Sequence, residues 1–443
     1  EYYCFSRKHQ NNDAMSFNQY TWDLYKQTTI GIEMIKYFSD AGGYVLFKDY
    51  CPYANFIPED LYNDWLENIY CYGVSDYDHP SSLEEAKDLY ISLITLGIRV
   101  EGQQWLPAND FKNMIGIIQP MSYVLSQFAP EYFFPYLFLC RIFELNKIAD
   151  FFNIDLPNIP KRTDYKGRCM YYWELCEVFY LFRKENGLSP ADLWSFLYDF
   201  APNNLPSEKI DMPKPSQVWF IGGRLYQEDK SLESKFWQSS PETKKGDILV
   251  HYETSPISAI TCIEISLTDG VIDPLFRYYG CIYIGNRINI PHITLKELQT
   301  DEYFFKHPLV RKNFQGVNGW SVNSENYSEL LRMIKTKGFD IEVLPKLYAP
   351  TLPKDVIIEY EHDVEQQLLE PLLNSMGWYE NKDFIRQLPI QAGRGHRIFP
   401  DYALHYGNKP NEERAKVLIE AKLCMRNNKE REEAYLQARS YAR

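Results

Sequence analysis

The sequence has no C-x-x-C pair, although it carries nine cysteines, and no histidine accompanies them at zinc spacing. That excludes the common zinc ribbons and fingers and reads as reduced thiols in a cytoplasmic protein. Long apolar runs are also missing. The longest aromatic-apolar stretch, Tyr132 to Phe143, is too short for a membrane span and contains Pro135 and Arg141. No signal peptide is visible. The chain opens on Glu1 rather than Met and stops inside its last helical pattern, which leaves room for residues beyond either end. A G-x-x-x-x-G-K-[ST] phosphate loop is absent. Gly222-Gly223-Arg224 and Gly393-Arg394-Gly395 lack its spacing and its lysine, which excludes a P-loop motor within these residues. Internal repeats and low-complexity runs are absent too. Positive charge is in short supply: 47 Lys+Arg stand against 60 Asp+Glu, a net −13, which argues against a protein that coats polyanions generally.

What is present is apolar and aromatic. Hydrophobic residues make up 45% of the 443, enough for packed cores, and the length predicts two to four domains. Helical periodicity runs over Leu83 to Leu96, Ile115 to Phe128, Tyr132 to Phe152 and Met170 to Glu185. Ser189 with Pro190 reads as an N-cap and first helical position for a helix reaching Phe200. Residues 1–201 are therefore expected to form an α-helical domain. Leu145 to Ile154 has the look of half a helix-turn-helix, but only Lys161, Arg162, Lys166 and Arg168 are basic nearby. A scaffold or partner-docking role is read ahead of DNA reading.

A proline-rich linker, 202–215, precedes a region of short strands. Gln217 to Gly223, Ile248 to Tyr252, Ser258 to Ile265 and Gly280 to Ile284 read as strands, and Tyr327 to Ile334 as a closing helix. Val218-Trp219-Phe220, Trp237, Gly246-Asp247-Ile248-Leu249-Val250-His251-Tyr252 and Phe314-Gln315-Gly316-Val317-Asn318-Gly319-Trp320 together resemble an EVE domain, a PUA-like β-barrel, over residues 216–335. The resemblance implies recognition of a modified base turned out of the stack. Trp219, Trp237, Tyr252 and Trp320 are the pocket candidates, with Asn318 as an edge reader. Base–aromatic stacking recovers about 1–3 kcal/mol per base, against an unpairing cost of a few kcal/mol.

The last 90 residues carry the densest chemistry. Val364, Leu368, Leu369, Leu372, Leu373 and Met376 recur at helical spacing and stop at Gly377, with Glu361 and Glu365 four apart on one face. Asp401 to Tyr406 reads as a strand followed by the turn Gly407 to Pro410. Val417-Leu418-Ile419 reads as a buried strand running into Glu420-Ala421-Lys422, and Arg431 to Arg443 as a helix. Two carboxylates and a lysine at neighbouring strand ends can hold a hard divalent metal and activate a water. From Lys382 to Arg443 there are thirteen Lys/Arg against eight Asp/Glu, among them Arg386, Arg394, Arg397, Arg426, Lys429 and Arg439. Contacts of this kind favour phosphate without reading sequence.

Pro400-Asp401, Glu420-Ala421-Lys422 and Gln437-x-x-x-Tyr441, in that order, resemble a PD-(D/E)xK nuclease domain over residues 355–443, and within that class the N-terminal nuclease module of type I restriction R subunits. The resemblance implies Mg2+, with Mn2+ able to substitute, held by Asp401, Glu420 and the Ala421 carbonyl. Lys422 would position or activate the attacking water, Glu365 (or Glu361) would hold a second metal or its water, and Gln437 would support the site or the phosphate. Arg394, Arg397, Arg426 and Arg439 would meet DNA phosphates. The expected fold class is multidomain α+β: an N-terminal α-helical domain, a central PUA-like β-barrel and a C-terminal α/β restriction-endonuclease-like fold. The expected function is a cytoplasmic, modification-dependent restriction endonuclease that cuts as a homodimer. A defence or repair nuclease without base specificity, a binding module with an inactive nuclease fold, and an RNA target are the alternatives.

Overall fold

Capping side chains explain where the N-terminal helices begin. Thr28 accepts from the Gly31 N–H, Ser82 from Glu85 and Asp164 from Gly167, opening helices Thr29–Asp40, Leu83–Leu96 and Tyr165–Glu185. Ser189 is the N-cap and Pro190 the first helical position, as the sequence predicts, and Asp192 completes a reciprocal capping box with Ser189. The computed structural model describes residues 17–51, 54, 57–101, 103–205, 212–224, 234–347, 356–393, 396–407, 415–424 and 428–441. It is mixed, with helices, a curled half-barrel sheet and smaller sheets, in keeping with a multidomain α+β class. Among the described residues no helix is long and apolar enough to cross a membrane.

One expected helix is largely replaced by something else. The periodicity over Tyr132 to Phe152 predicts a helix, but only Ile142–Phe152 is helical. Residues 133–138 adopt no regular secondary structure, with Phe133, Phe134, Tyr136, Leu137 and Phe138 all buried. Pro135 removes a helical donor, and side chains satisfy the backbone instead. Ser122 Oγ accepts from Tyr136 N–H at 2.8 Å, Tyr198 Oη accepts from Leu137 N–H at 3.2 Å, and Tyr172 donates to the Phe134 carbonyl at 2.7 Å. A buried backbone must find such partners or lose stability.

The chain divides into two compact units. The first comprises 1–210, 219–245 and 249–322; the second comprises 211–218, 246–248 and 323–443. In the first unit the main sheet runs in the order Ser234–Gln238, Gly280–Thr294, Ala259–Ser266, Ile248–Glu253, Val218–Gly223, Trp320–Val322. Ser234–Gln238 escapes the sequence reading, which sees only Trp237 after a polar stretch. The pairing of Ala259–Ser266 with Gly280–Thr294 slips register twice, and such irregularities bend and twist a sheet. Trp219, Ile221, Leu249, Ile282 and Ile284 pack on one face with Trp237. Phe220 meets Phe314 and His307 on the other. Gly319, at φ +75, lets the far end of the sheet close up: a Cβ there would lie 2.5 Å from the Ser240 nitrogen.

The helices of this unit are pinned to its sheet by one loop. Asp273 is fully buried and accepts the backbone N–H groups of Cys140, Leu275 and Phe276. Arg168, on helix Tyr165–Glu185, donates to the carbonyls of Pro274 and Phe276 at 2.8 and 2.7 Å.

The second unit contains helix Ser324–Thr336 and a small antiparallel sheet. Tyr402–Leu404 lies between Phe384–Arg386 and Val417–Ile419. Helix Glu361–Ser375 packs Leu373 against Trp378, Phe384, Tyr402 and Leu404. Its middle turn, Glu365–Leu369, is wide: the Glu370 N–H reaches the Glu365 carbonyl, five residues back. Pro371 follows, and a proline ring clashes with the preceding turn of a regular helix and withholds its own donor. The same arrangement recurs at Phe196–Phe200 ahead of Pro202.

Candidate active site

Strand register builds this site. Tyr402 pairs with Ile419 in the antiparallel ladder. Asp401 immediately precedes one partner and Glu420 immediately follows the other, so both carboxylates emerge at the same end of the sheet. The bond from Ala421 N–H to Asp401 Oδ2, 2.6 Å, fastens the two ends together. Lys422 Nζ lies 3.2 Å from Glu420 Oε1 and 3.8 Å from Glu361 Oε1. Gln437, on helix Asn428–Tyr441, donates its amide to the same Glu420 oxygen. Asp401, Glu420, Lys422, Glu361 and Gln437 are thus brought together from four separate elements, two strand ends and two helices.

Glu365 joins them through charge. Burial, then the field of Asp401, raises its pKa, while Arg386 opposes the rise. Arg386 Nη2 lies 3.5 Å from Glu365, and Nη1 lies 2.8 Å from Glu370 Oε1. Tyr402 donates its hydroxyl to that same Glu370 oxygen at 3.2 Å. Glu370 goes unread in the sequence because five residues of regular helix would put it well round from Glu365. The wide turn narrows that angle and lets both acids address Arg386. Pro371 is the signal that could have revealed it. Arg386, read as a phosphate contact, spends its charge within the domain.

The electrostatics are those of crowded acids. Burial raises the Glu420 pKa, with Asp401 and Glu361 adding to the rise and Lys422 opposing it. Burial alone would lower Lys422, yet its bond to Glu420 and the fields of Glu361 and Asp401 leave it above its ordinary value. Glu420 Oε2 is buried and has no hydrogen-bond partner among the described residues. An unpaired carboxylate oxygen beside a second carboxylate is a donor set that fits a hard divalent cation, and the Ala421 carbonyl sits in the same turn.

The other expected residues fare differently. Arg397 is exposed on a short hairpin formed by Ile390–Gly393 and His396–Ile398. Arg394 and Arg426 lie outside the described residues, as do the side chains of Arg439 and Tyr441 and most of the turn Gly407 to Pro410. In the first unit, Trp219, Trp237, Tyr252, Asn318 and Trp320 do not line one pocket. Trp219 and Trp237 share one face of the sheet. Tyr252 is stacked on Phe314 at 4.0 Å, and Trp320 stands near His307, on the Phe220 side. Asn318 accepts from Gly222 N–H and Trp237 Nε1 and donates to Gly222 O and Gln238 Oε1. Its amide therefore closes the sheet rather than standing free as an edge reader.

No family model matches the chain, and no curated protein matches it. Two solved structures are similar over a part. One is the NMR structure of Rpa0253 from Rhodopseudomonas palustris, 13% identical, covering 27% of this chain and 94% of that one at a TM-score of 0.24. The other is a hypothetical protein from Leishmania major, 12% identical, covering 28% of this chain and 98% of that one, also at 0.24. Similarity at this level carries no argument about fold or chemistry.

Proposed function

We propose that the protein is a metal-dependent DNA endonuclease in which the C-terminal domain cuts and the curled sheet reads a modified cytosine. The observation that carries the first half is the meeting of Asp401, Glu420 and Lys422 with one Glu420 oxygen left unpaired. The second half rests on the EVE-like sequence features around Trp237 and Trp320. Asp401, Glu420 and the Ala421 carbonyl would hold Mg2+ or Mn2+, with Glu365 at its edge. Bound there, the ion would supply Lewis-acid polarisation of the scissile phosphate. Gln437 fixes the Glu420 carboxylate, and Arg386 with Glu370 fixes Glu365. Lys422 carries a proton and a positive charge toward the phosphate, offsetting the negative charge that develops there. Arg397 would touch the DNA backbone and add salt-sensitive affinity. Two cuts across a duplex need two such sites, so a homodimer is the proposed working form.

The test is cleavage of otherwise identical duplexes carrying cytosine, methylcytosine, hydroxymethylcytosine or glucosylated cytosine, wild type beside Asp401→Ala and Trp237→Ala. Asp401→Ala is expected to abolish cutting and keep binding, and Trp237→Ala to weaken binding to modified DNA alone. Cutting by Asp401→Ala at the wild-type rate would sink the catalytic assignment. Equal cutting of all four duplexes would remove base reading while leaving the nuclease. Failure of the wild type to cut with either metal would leave a binding module.

A further inference from the structure

The sheet of the first unit buries a donor set that the proposed nuclease chemistry does not use. His251 on strand Ile248–Glu253 and Cys262 and Glu264 on strand Ala259–Ser266 are all buried, and one ligand atom from each lies within 4.8 Å of the other two. His251 Nδ1 stands 3.1 Å from Glu264 Oε2. That separation is close to what two ligands of one small tetrahedral ion show when each bond is about 2.0–2.1 Å. Arg287 places both Nε and Nη2 at 2.8 Å from the other oxygen, Oε1, and so orients the carboxylate from behind. His251 Nε2 is buried without a hydrogen-bond partner among the described residues, and the Trp237 ring centroid stands 4.7 Å from that of His251. A charged cluster inside an apolar face is costly unless it is fully paired or holds an ion.

We propose that His251, Cys262 and Glu264 form a transition-metal site of the zinc class, with Arg287 as the positioning residue. Thiolate, imidazole and carboxylate together select zinc-like ions over Mg2+, which prefers oxygen ligands alone. The site is therefore chemically distinct from the all-oxygen set at Asp401 and Glu420. On binding, the Cys262 S–H bond breaks, the proton leaves to solvent and the sulfur binds the metal. The hydrogen between His251 Nδ1 and Glu264 moves to His251 Nε2, so that the neutral ring binds through Nδ1; the ion takes its place, and three protein ligands leave a fourth position open. The sequence gives no warning, because the ligands are eleven and two residues apart across two strands rather than in a C-x-x-C loop.

Cobalt is the probe. Metal-free full-length protein titrated with Co2+ should develop a thiolate-to-cobalt charge-transfer band that saturates at one equivalent and is bleached by Zn2+. The carboxylates of the second unit cannot give such a band. Cys262→Ser should lose it, and Glu264→Gln should weaken Zn2+ binding at least tenfold. Replacing Cys4, Cys71 and Cys424 together by serine should leave the band intact, which keeps the test decisive if Cys262→Ser fails to fold. Absence of the band in the wild type, its persistence in Cys262→Ser, or its loss in the triple variant would overturn the site.

Discussion

At the scale of single residues, the candidate site is a contest between protons and a cation. The pKa values of Glu365 and Glu420 are raised, first by burial and then by neighbouring acids. In the metal-free chain, a carboxylate raised in this way contributes stability that is full below its unfolded value and is lost as pH rises through its folded value. A bound divalent ion removes the repulsion that raises them. The apparent Mg2+ affinity, read as the shift in thermal midpoint on adding Mg2+, should therefore climb as pH rises above the ordinary carboxylate range and then level off. An affinity that is flat across that rise would separate these acids from the metal. Lys422 is held protonated by Glu420, Glu361 and Asp401, which suits a charge-offsetting role better than that of a resting base. Lys422→Gln should lower the cleavage rate by about 10²–10³-fold, the cost of removing one electrostatic stabiliser, while Mg2+ binding is kept or strengthened.

At the scale of elements, strands and capped helices were largely readable and their exceptions were local. Leu83–Leu96 and the Ser189 cap fall where side-chain spacing puts them, because each owes its form to neighbours in sequence. Val417–Ile419 is a strand as expected, but it is half-buried to exposed rather than buried, since it pairs only with Tyr402–Leu404 among the described residues. The irregular stretch at 133–138 did not follow its spacing, since its backbone bonds go to Ser122, Tyr172 and Tyr198 from elsewhere in the chain. Strand Ser234–Gln238 was hidden because its partner is the far longer Gly280–Thr294, and nothing in its own five residues alternates clearly. Among the site residues, Asp401, Glu420 and Lys422 were legible as a motif. Glu370 required the wide turn, and Arg287 required a partner 23 residues away. Gly319 gives an element-level prediction. Its positive φ and its approach to Ser240 leave no room for a side chain, so Gly319→Ala should cost about 1–3 kcal/mol in urea unfolding, combining backbone strain with displacement of a neighbour. A neutral substitution there would mean that the sheet does not close at that point.

For the molecule as a whole, Asp273 is a clamp with its own pH dependence. Burial raises its carboxyl to about 6, although three backbone N–H groups and Arg168 favour its charged form. Its contribution is full below the unfolded value and falls as pH rises through about 6. Asp273→Ala strands those donors at a cost of about 1–3 kcal/mol each if water cannot reach them. The loss measured in urea should be larger near pH 4.5 than near pH 7.5, and an equal loss at both would show that the carboxyl ionises as freely as in the unfolded chain. The same clamp bears on how the gene can be cut. The proline-rich stretch after the last N-terminal helix looks like an obvious place to divide the chain into fragments. Yet a fragment beginning there would present the bare flank once covered by Cys140 and Arg168, with Phe236, Phe276 and Cys281 uncovered along one rim. Such a fragment should come out of cells as insoluble material, and co-expression of the missing N-terminal piece should rescue it.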